Sequence, residues 1–432
     1  MKKYVLIISI LFILNLAKAQ QYCTYSGRYY EPIFSKAIGT LDIEYAKKMT
    51  SAGRMQTLVY DIYEPENDEE SLRPLVIMVH GGGYIDFIDQ KSPDIIALSE
   101  NLVKMGYVVA SIEYREESNP LSLLSEEKMM KAVSRSLEDL RDAICQMIGE
   151  VRTTNAYRID TNKVIACGVS AGAVSLLHGA FMDSIATLPG DYPKWVEEVV
   201  GEDAQTLLDN RYCGGKLLGI INISGALLDA DWVANDTALA LLNIHGTNDP
   251  IVPFKKAFPF GLKSLPRLEG SYYIHQKAVE LGMNSIAHFY PKRGHVPFLG
   301  WDLDDLFSEN PIGFIFIDKI LDSTQNDIRD FCYKLINNCS NDVSTGIRNN
   351  TTHQLQIFPN PAKDKIFIEL PQQLLAEGTI INIFDHTGKI VLTSTIFPNK
   401  SIDIQRILNK GYYVIQFLGE DGTMYTSRFV KQ

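Results

Sequence analysis

The sequence predicts an α/β fold, a mostly parallel sheet flanked by helices, followed by a small C-terminal all-β sandwich. Three observations carry this expectation. From about Asp42 to Leu335, strand-like and helix-like segments alternate, as they do in a parallel sheet covered on both faces. Two buried-type runs, Pro74–Val79 and Lys163–Cys167, each feed a glycine-bearing turn. After a stretch rich in Ser, Asn and Thr at 340–352, the pattern changes to short alternating strands separated by turn residues.

The elements follow in order. Met55–Tyr63 and Leu75–His80 read as strands, Pro93–Lys104 has helical spacing, and Tyr107–Tyr114 returns to a strand. Lys131–Glu150 is a long amphipathic helix with Leu137, Leu140, Ile144 and Ile148 along one face. An apolar helix runs on from Ala171, and a polar, tryptophan-bearing insert occupies Asp183–Lys216. Leu217–Ser224 and Leu239–His245 are further buried strands. Ser271–Leu281 is a helix, Ser285–Tyr290 the last strand of this sheet, and Pro311–Leu335 mostly helical. Beyond the linker, Lys365–Leu370, Thr379–Phe384, Lys389–Thr395, Tyr412–Leu418 and Met424–Val430 alternate as half-buried strands do.

The first residues have a processing signature. Lys2 and Lys3 precede an apolar core, Val5–Leu16, and Ala17-Lys18-Ala19 supplies the small-x-small pattern before Gln20. The expected organisation is a signal peptide at 1–19, a catalytic domain at 20–339, a linker at 340–352 and a β-sandwich at 353–432. The apolar core is too short to span a bilayer, and no later run is long enough, so the mature chain is expected to lack a transmembrane segment.

Export places the six cysteines in an oxidising compartment. Cys332 with Cys339, and Cys23 with Cys213, are candidate pairs. Cys145 in a helix and Cys167 in a core strand read as buried free thiols. There is no Cys/His cluster at zinc spacing, so no metal site of that kind is expected. A net charge of −11 and the lack of a basic run after the first residues argue against nucleic-acid binding.

The chemistry resides in the two turns. His80-Gly81-Gly82-Gly83 ends one strand and Gly168-Val169-Ser170-Ala171-Gly172 ends another. A serine hydroxyl is a weak nucleophile unless a base lies within hydrogen-bond reach, and a strand-to-helix elbow lifts it above the sheet. Ser170 is therefore the candidate nucleophile. Of the eight histidines, His295 in Lys292-Arg293-Gly294-His295 lies on a loop after the last strand of the sheet and is the candidate base. His80 is assigned to shaping the glycine loop. Asp249, in the proline-stiffened turn His245–Pro253, is the candidate orienting acid, with Asp229, Asp231 and Asp236 as competitors. Backbone N–H groups of Gly82, Gly83 and Ala171 are the candidate donors for an oxyanion. A phosphate cradle is disfavoured because no Gly-Lys-Ser/Thr follows the glycines.

With HGGGY, the Ser111–Arg115 strand end, GVSAG, HGTNDPIVP and RGH in that order, some three hundred residues resemble the α/β-hydrolases of the carboxylesterase and hormone-sensitive-lipase-like group. The resemblance implies an eight-stranded mostly parallel sheet, no cofactor, and a Ser170–Asp249–His295 triad. The acidic residues after HGGGY, Asp86 and Asp89, and the two insertions depart from the group. Tyr192 and Trp195 mark the first insertion as a candidate partial cap over the sheet's carboxyl edge. Ala257–Leu262 is a candidate wall for an acyl or aryl pocket.

Near the C-terminus, Ile357–Ala362 (IFPNPA), Ile383–Lys389, Gly411–Ile415 and the final Phe429-Val430-Lys431 resemble the sorting domain of the type IX secretion system of Bacteroidota. That resemblance implies the secretion machinery as a partner and a location outside the cell or on its surface; a carbohydrate-binding sandwich is the competing reading. The expected activity is a secreted serine carboxylesterase acting on a small or polymer-borne ester, such as acetyl or feruloyl groups of plant polysaccharide. The alternatives are a lipase or polyester hydrolase, and a non-catalytic surface-binding protein on the same scaffold.

Overall fold

The computed structural model describes residues 23–339 and 353–432, apart from 87, 202–203, 210, 301–314, 355, 370–379, 386–389, 396–400, 408 and 419–423. The expected signal peptide (1–19) and linker (340–352) lie outside the described residues, as does the start of the expected helix Pro311–Leu335.

The first unit is built on one eight-stranded sheet. Its strands are β1 (Ala37–Met49), β2 (Met55–Pro65), β3 (Arg73–Val79), β4 (Val108–Ile112), β5 (Ile159–Val169), β6 (Leu217–Ile223), β8 (Ala240–Gly246) and β11 (Ser285–Tyr290). In space they run β1-β2-β4-β3-β5-β6-β8-β11. Only β2 runs against the other strands, pairing antiparallel with both β1 and β4 near one edge. Buried on both faces, β3, β4 and the inner part of β5 read as continuous apolar runs. The edge strand β1 is not legible in the sequence because it is mostly exposed and carries charges, so neither burial nor alternation marks it.

Helices cover both faces. α1 (Pro93–Lys104) and the C-terminal helix Asp318–Ile336 bury Leu98, Leu102, Ile328 and Phe331 against one face. On the other lie α2 (Glu126–Thr153), α3 (Ala171–Phe181) and α6 (Ser271–Glu280). α2 starts five residues before its expected N-terminus, with Glu126 and Glu127 in the first turn, where negative charge favours the helix dipole. The insertion at 183–216 holds two short helices, α4 (Tyr192–Val200) and α5 (Thr206–Asp209). A small second sheet joins β7 (Ala226–Leu227), β10 (Leu268–Gly270) and β9 (Lys256–Ala257).

The cysteine pairing departs from expectation. Cys23 pairs with Cys339 and Cys145 with Cys213, leaving Cys167 and Cys332 as buried thiols. Cys332 points inward from its helix and is fully buried beside Phe331, so it never meets Cys339 one turn beyond the helix end. Cys145, assigned to a buried thiol by its helical setting, lies on the flank of α2 that meets the insertion.

The C-terminal unit is described on its own terms. A five-stranded sheet and a three-stranded sheet are lined by Ile366, Ile368, Ile381, Ile383, Ile415 and Phe417. Alternation along each strand sends one face into this core, as in a sandwich.

Candidate active site

The elbow between β5 and α3 sets Ser170. Its backbone has φ 52° and ψ −119°, a conformation that non-glycine residues rarely hold. Its N–H is tied to the carbonyl of Ile223 at 2.8 Å. The flanking glycines are required by close approach. A Cβ on Gly168 would lie 2.6 Å from the backbone of Ala173, and one on Gly172 would lie 2.3 Å from the carbonyl oxygen of Val79.

Two loops beyond β8 and β11 bring the other groups. They are stitched together by Thr247 N–H to the carbonyl of Tyr290 (3.0 Å), Asn248 N–H to that of Arg293 (2.9 Å), and Lys292 N–H to the hydroxyl of Thr247 (3.0 Å). His295 Nδ1 lies 2.7 Å from Asp249 Oδ2, and His295 Nε2 lies 2.7 Å from Ser170 Oγ. An ionised carboxylate only accepts, so Nδ1 carries the proton and Nε2 faces the serine as an acceptor. Asp249 Oδ1 accepts the N–H groups of Ile251 (2.8 Å) and Val252 (3.0 Å). Burial alone would raise the Asp249 pKa, but its interactions with His295 and His245 hold it well below the usual carboxylate range.

The competing acids are engaged elsewhere. Asp229 accepts the N–H of Asp231, Asp231 pairs with Lys277 at 2.8 Å, and Asp236 accepts the N–H of Ala238. Sequence reasoning missed a second histidine on the acid. His245 Nε2 lies 3.0 Å from Asp249 Oδ2, and its position four residues before the acid was the available signal.

The glycine loop is held from beneath. Tyr114 donates to the carbonyls of His80 (3.1 Å) and Gly81 (3.0 Å), and its ring stacks on His80 at 4.3 Å. His80 donates through Nδ1 to the Gly81 carbonyl, and burial lowers its pKa to about 4, so it stays neutral. Gly83 and Ala171 border the same cleft as Ser170. Among the described residues neither their N–H groups nor that of Gly82 meets an acceptor. A side chain on Gly82 would point away, toward Ile88 and Glu116.

The cleft, about 70 Å³, is apolar, walled by Met129, Val133, Val174, Leu228 and Leu268. Pro259 and Phe260 of the second insertion also line it. Among the described residues of the first insertion, none does. Tyr192 and Val196 instead pack into the core on α2, Tyr192 hydrogen-bonds Glu126, and Lys131 pairs with Glu198. That insertion braces the wall from which Met129 projects; α2 offers it an apolar flank that a cap over the sheet edge would leave bare. Among the described residues no cluster of His, Cys, Asp and Glu fit to hold a metal is found, and no helix is long and apolar enough to cross a membrane.

Three solved structures with which the chain can be superposed are a truncated carbohydrate esterase from gut microbiota, an esterase 2 from Thermogutta terrifontis phosphorylated by paraoxon, and MGS-M1, an alpha/beta hydrolase enzyme from a Medee basin deep-sea metagenome library. The first is 17% identical, over 72% of this chain and 99% of that one, with a TM-score of 0.42. The second is 14% identical over 69% and 94%, TM-score 0.42, and the third 15% identical over 67% and 98%, TM-score 0.39. No curated protein matches the chain. The BD-FAE family matches residues 60–206, a span that includes the glycine loop and Ser170 but ends before Asp249 and His295. The secretion system C-terminal sorting domain matches residues 356–432. Residues 60–206, in the N-terminal half of the chain, thus match the BD-FAE family, and residues 356–432 match a secretion system C-terminal sorting domain.

Proposed function

We propose that the protein is a secreted serine carboxylesterase that works through an acyl-enzyme. The observation that carries this reading is the unbroken chain Ser170 Oγ, His295 Nε2, His295 Nδ1, Asp249 Oδ2, with both links at 2.7 Å. In the first half-reaction Ser170 Oγ attacks the ester carbonyl carbon while His295 Nε2 takes its proton. The C–O bond to the alcohol then breaks, and His295 returns that proton to the leaving oxygen. Water repeats the sequence on the acyl-serine and regenerates the hydroxyl. Asp249 keeps Nδ1–H donated and offsets the charge of the imidazolium formed in each half. The N–H groups of Gly82, Gly83 and Ala171 are the proposed oxyanion donors, each typically worth roughly 3–4 kcal/mol.

The sorting domain gives the protein a place outside the cell or on its surface, with the type IX machinery as partner. Within that frame we assign residues 1–19 to a signal peptide, 20–339 to the catalytic domain, 340–352 to a linker and 353–432 to the sorting domain. An exported esterase fits acetyl or feruloyl esters of plant polysaccharide. The apolar lining of the cleft also favours a second reading, a lipase or polyester hydrolase that seats an alkyl or aryl acyl group there.

Labelling by a fluorophosphonate probe, lost in Ser170→Ala, tests the nucleophile and separates an esterase from a non-catalytic surface binder. A panel of acyl-chain lengths, together with acetylated and feruloylated xylan, then separates the two substrate readings. An unlabelled wild-type protein would overturn the proposal.

A further inference from the structure

Asp249 Oδ2 accepts from two imidazoles. Besides His295, His245 Nε2 reaches it at 3.0 Å and the carbonyl of Val252 at 3.2 Å. Both partners are acceptors, so the proton of a neutral His245 belongs on Nε2.

The opposite side of that ring is set by a buried relay. Asn222 Oδ1 accepts the N–H of Gly225 at 2.9 Å, which fixes the orientation of its amide. Asn222 Nδ2 therefore donates, at 3.0 Å, to Ser271 Oγ. The single hydroxyl proton of Ser271 is left to donate to His245 Nδ1 at 2.7 Å; its other neighbour, the carbonyl of Gly225, is farther at 3.4 Å. Asn222, Ser271 and His245 are all fully buried, so water does not compete for these bonds. The relay draws on β6, the first turn of α6 and the end of β8, three elements that meet beneath the acid loop.

A carboxylate offers two lone-pair directions on each oxygen. Oδ1 is filled by two loop amides and Oδ2 by two imidazoles, so rotation of the Asp249 carboxylate would break one bond or more. With His245 gone, Oδ2 keeps only the His295 contact, and one of the four bonds that resist rotation of the carboxylate is lost.

We propose that His245 is a positioning residue for Asp249, and that Ser271 and Asn222 hold it in the tautomer that makes it a donor. The proposal rests on the reading of Ser170, His295 and Asp249 as a catalytic triad.

The test compares His245→Phe, His245→Gln and Ser271→Ala in the full-length protein, using kcat and KM on a chromogenic ester. Fluorophosphonate labelling of the wild type runs beside them. His245→Phe keeps a flat ring without a donor, and kcat falls by about 10- to 100-fold with KM within about twofold of wild type. His245→Gln returns an N–H near the Nε2 position and recovers at least about fivefold of that loss. Ser271→Ala leaves the imidazole but frees its tautomer, and kcat falls by about 3- to 10-fold. A His245→Phe variant within twofold of wild type in kcat, or a His245→Gln variant no better than His245→Phe, overturns the proposal. If His245→Phe does not fold, Ser271→Ala decides with the same readout, and unchanged kcat overturns the proposal. A wild-type protein that takes no label fails the triad reading itself, a different result from any of these.

Discussion

The hydroxyl of Tyr84 donates to the carbonyl of Ala171 at 3.0 Å, joining the glycine loop to the first turn after the candidate nucleophile. Tyr84 itself stands at φ 65°, on the chain segment that leaves Gly83. The donors of the loop and the N–H of Ala171 thus belong to one braced unit, with Ser175 Oγ also within 3.0 Å of the tyrosine hydroxyl.

Tyr84→Phe removes that tie and keeps the ring, which packs edge-on against Tyr114 at 6.0 Å. A neutral hydrogen bond is worth about 1 kcal/mol net, so kcat is expected to fall by about fivefold with KM little changed. Steady-state kinetics on an activated ester check this. Wild-type kcat in the variant would mean that Tyr114 alone holds the loop.

Asp249→Asn is expected to lower kcat by about four orders of magnitude, because the amide favours the wrong tautomer of His295. The same change acts on stability. Asp249 has a lowered pKa in the fold, so its charge stabilises the folded state above the ordinary carboxylate pKa of about 4, and that contribution is lost as pH falls below it. The variant should therefore lose more thermal stability at pH 7 than at pH 3. Full activity in Asp249→Asn would return the role to Asp229 or Asp231.

Most of this arrangement is legible in sequence because it depends on local chemistry. Gly168 and Gly172 are demanded by close backbone approach, Gly82 and Gly83 by their positive φ, and the strand that feeds the glycine loop is a nearly continuous apolar run. His295 and Asp249 are recognisable by their order after the last two strands. What escapes is contact between distant elements. His245 reads as an ordinary strand-end residue until Ser271, from the start of another helix, is seen to turn its ring toward the acid. Likewise Cys23 and Cys339 carry no local sign of pairing, since only the closed fold brings their Cα atoms to 5.7 Å. β1 is hidden for the opposite reason, being an edge with little apolar surface to bury.

Glu116 gives a pH test. Its Oε1 is buried without a hydrogen-bond partner among the described residues, and it faces Gly82 of the glycine loop. Burial first, then the charges of Asp86, Glu113 and Asp89, push its pKa up to about 10. In the unfolded chain it ionises near 4.5, so the folded state binds one proton more between those values and stability falls as pH rises through that window. Glu116→Gln removes this burden. Its gain in melting temperature over wild type should be small at pH 5 and larger at pH 8.5. A gain that does not change with pH would mean that Glu116 ionises normally in the fold.

The cysteines yield a direct chemical count. Two disulfides leave Cys167 and Cys332, both fully buried, as thiols whose pKa burial raises. A thiol reagent should therefore find none in the native protein and two after unfolding without reductant. Peptide mapping should join Cys23 to Cys339 and Cys145 to Cys213. The first bridge closes a separation of 316 residues and the second one of 68, and long closures restrict the unfolded chain most. Cys339→Ser is expected to lower stability by about 2–5 kcal/mol. A Cys332–Cys339 peptide in the map would refute this pairing, because it requires Cys332 to leave the core beside Phe331.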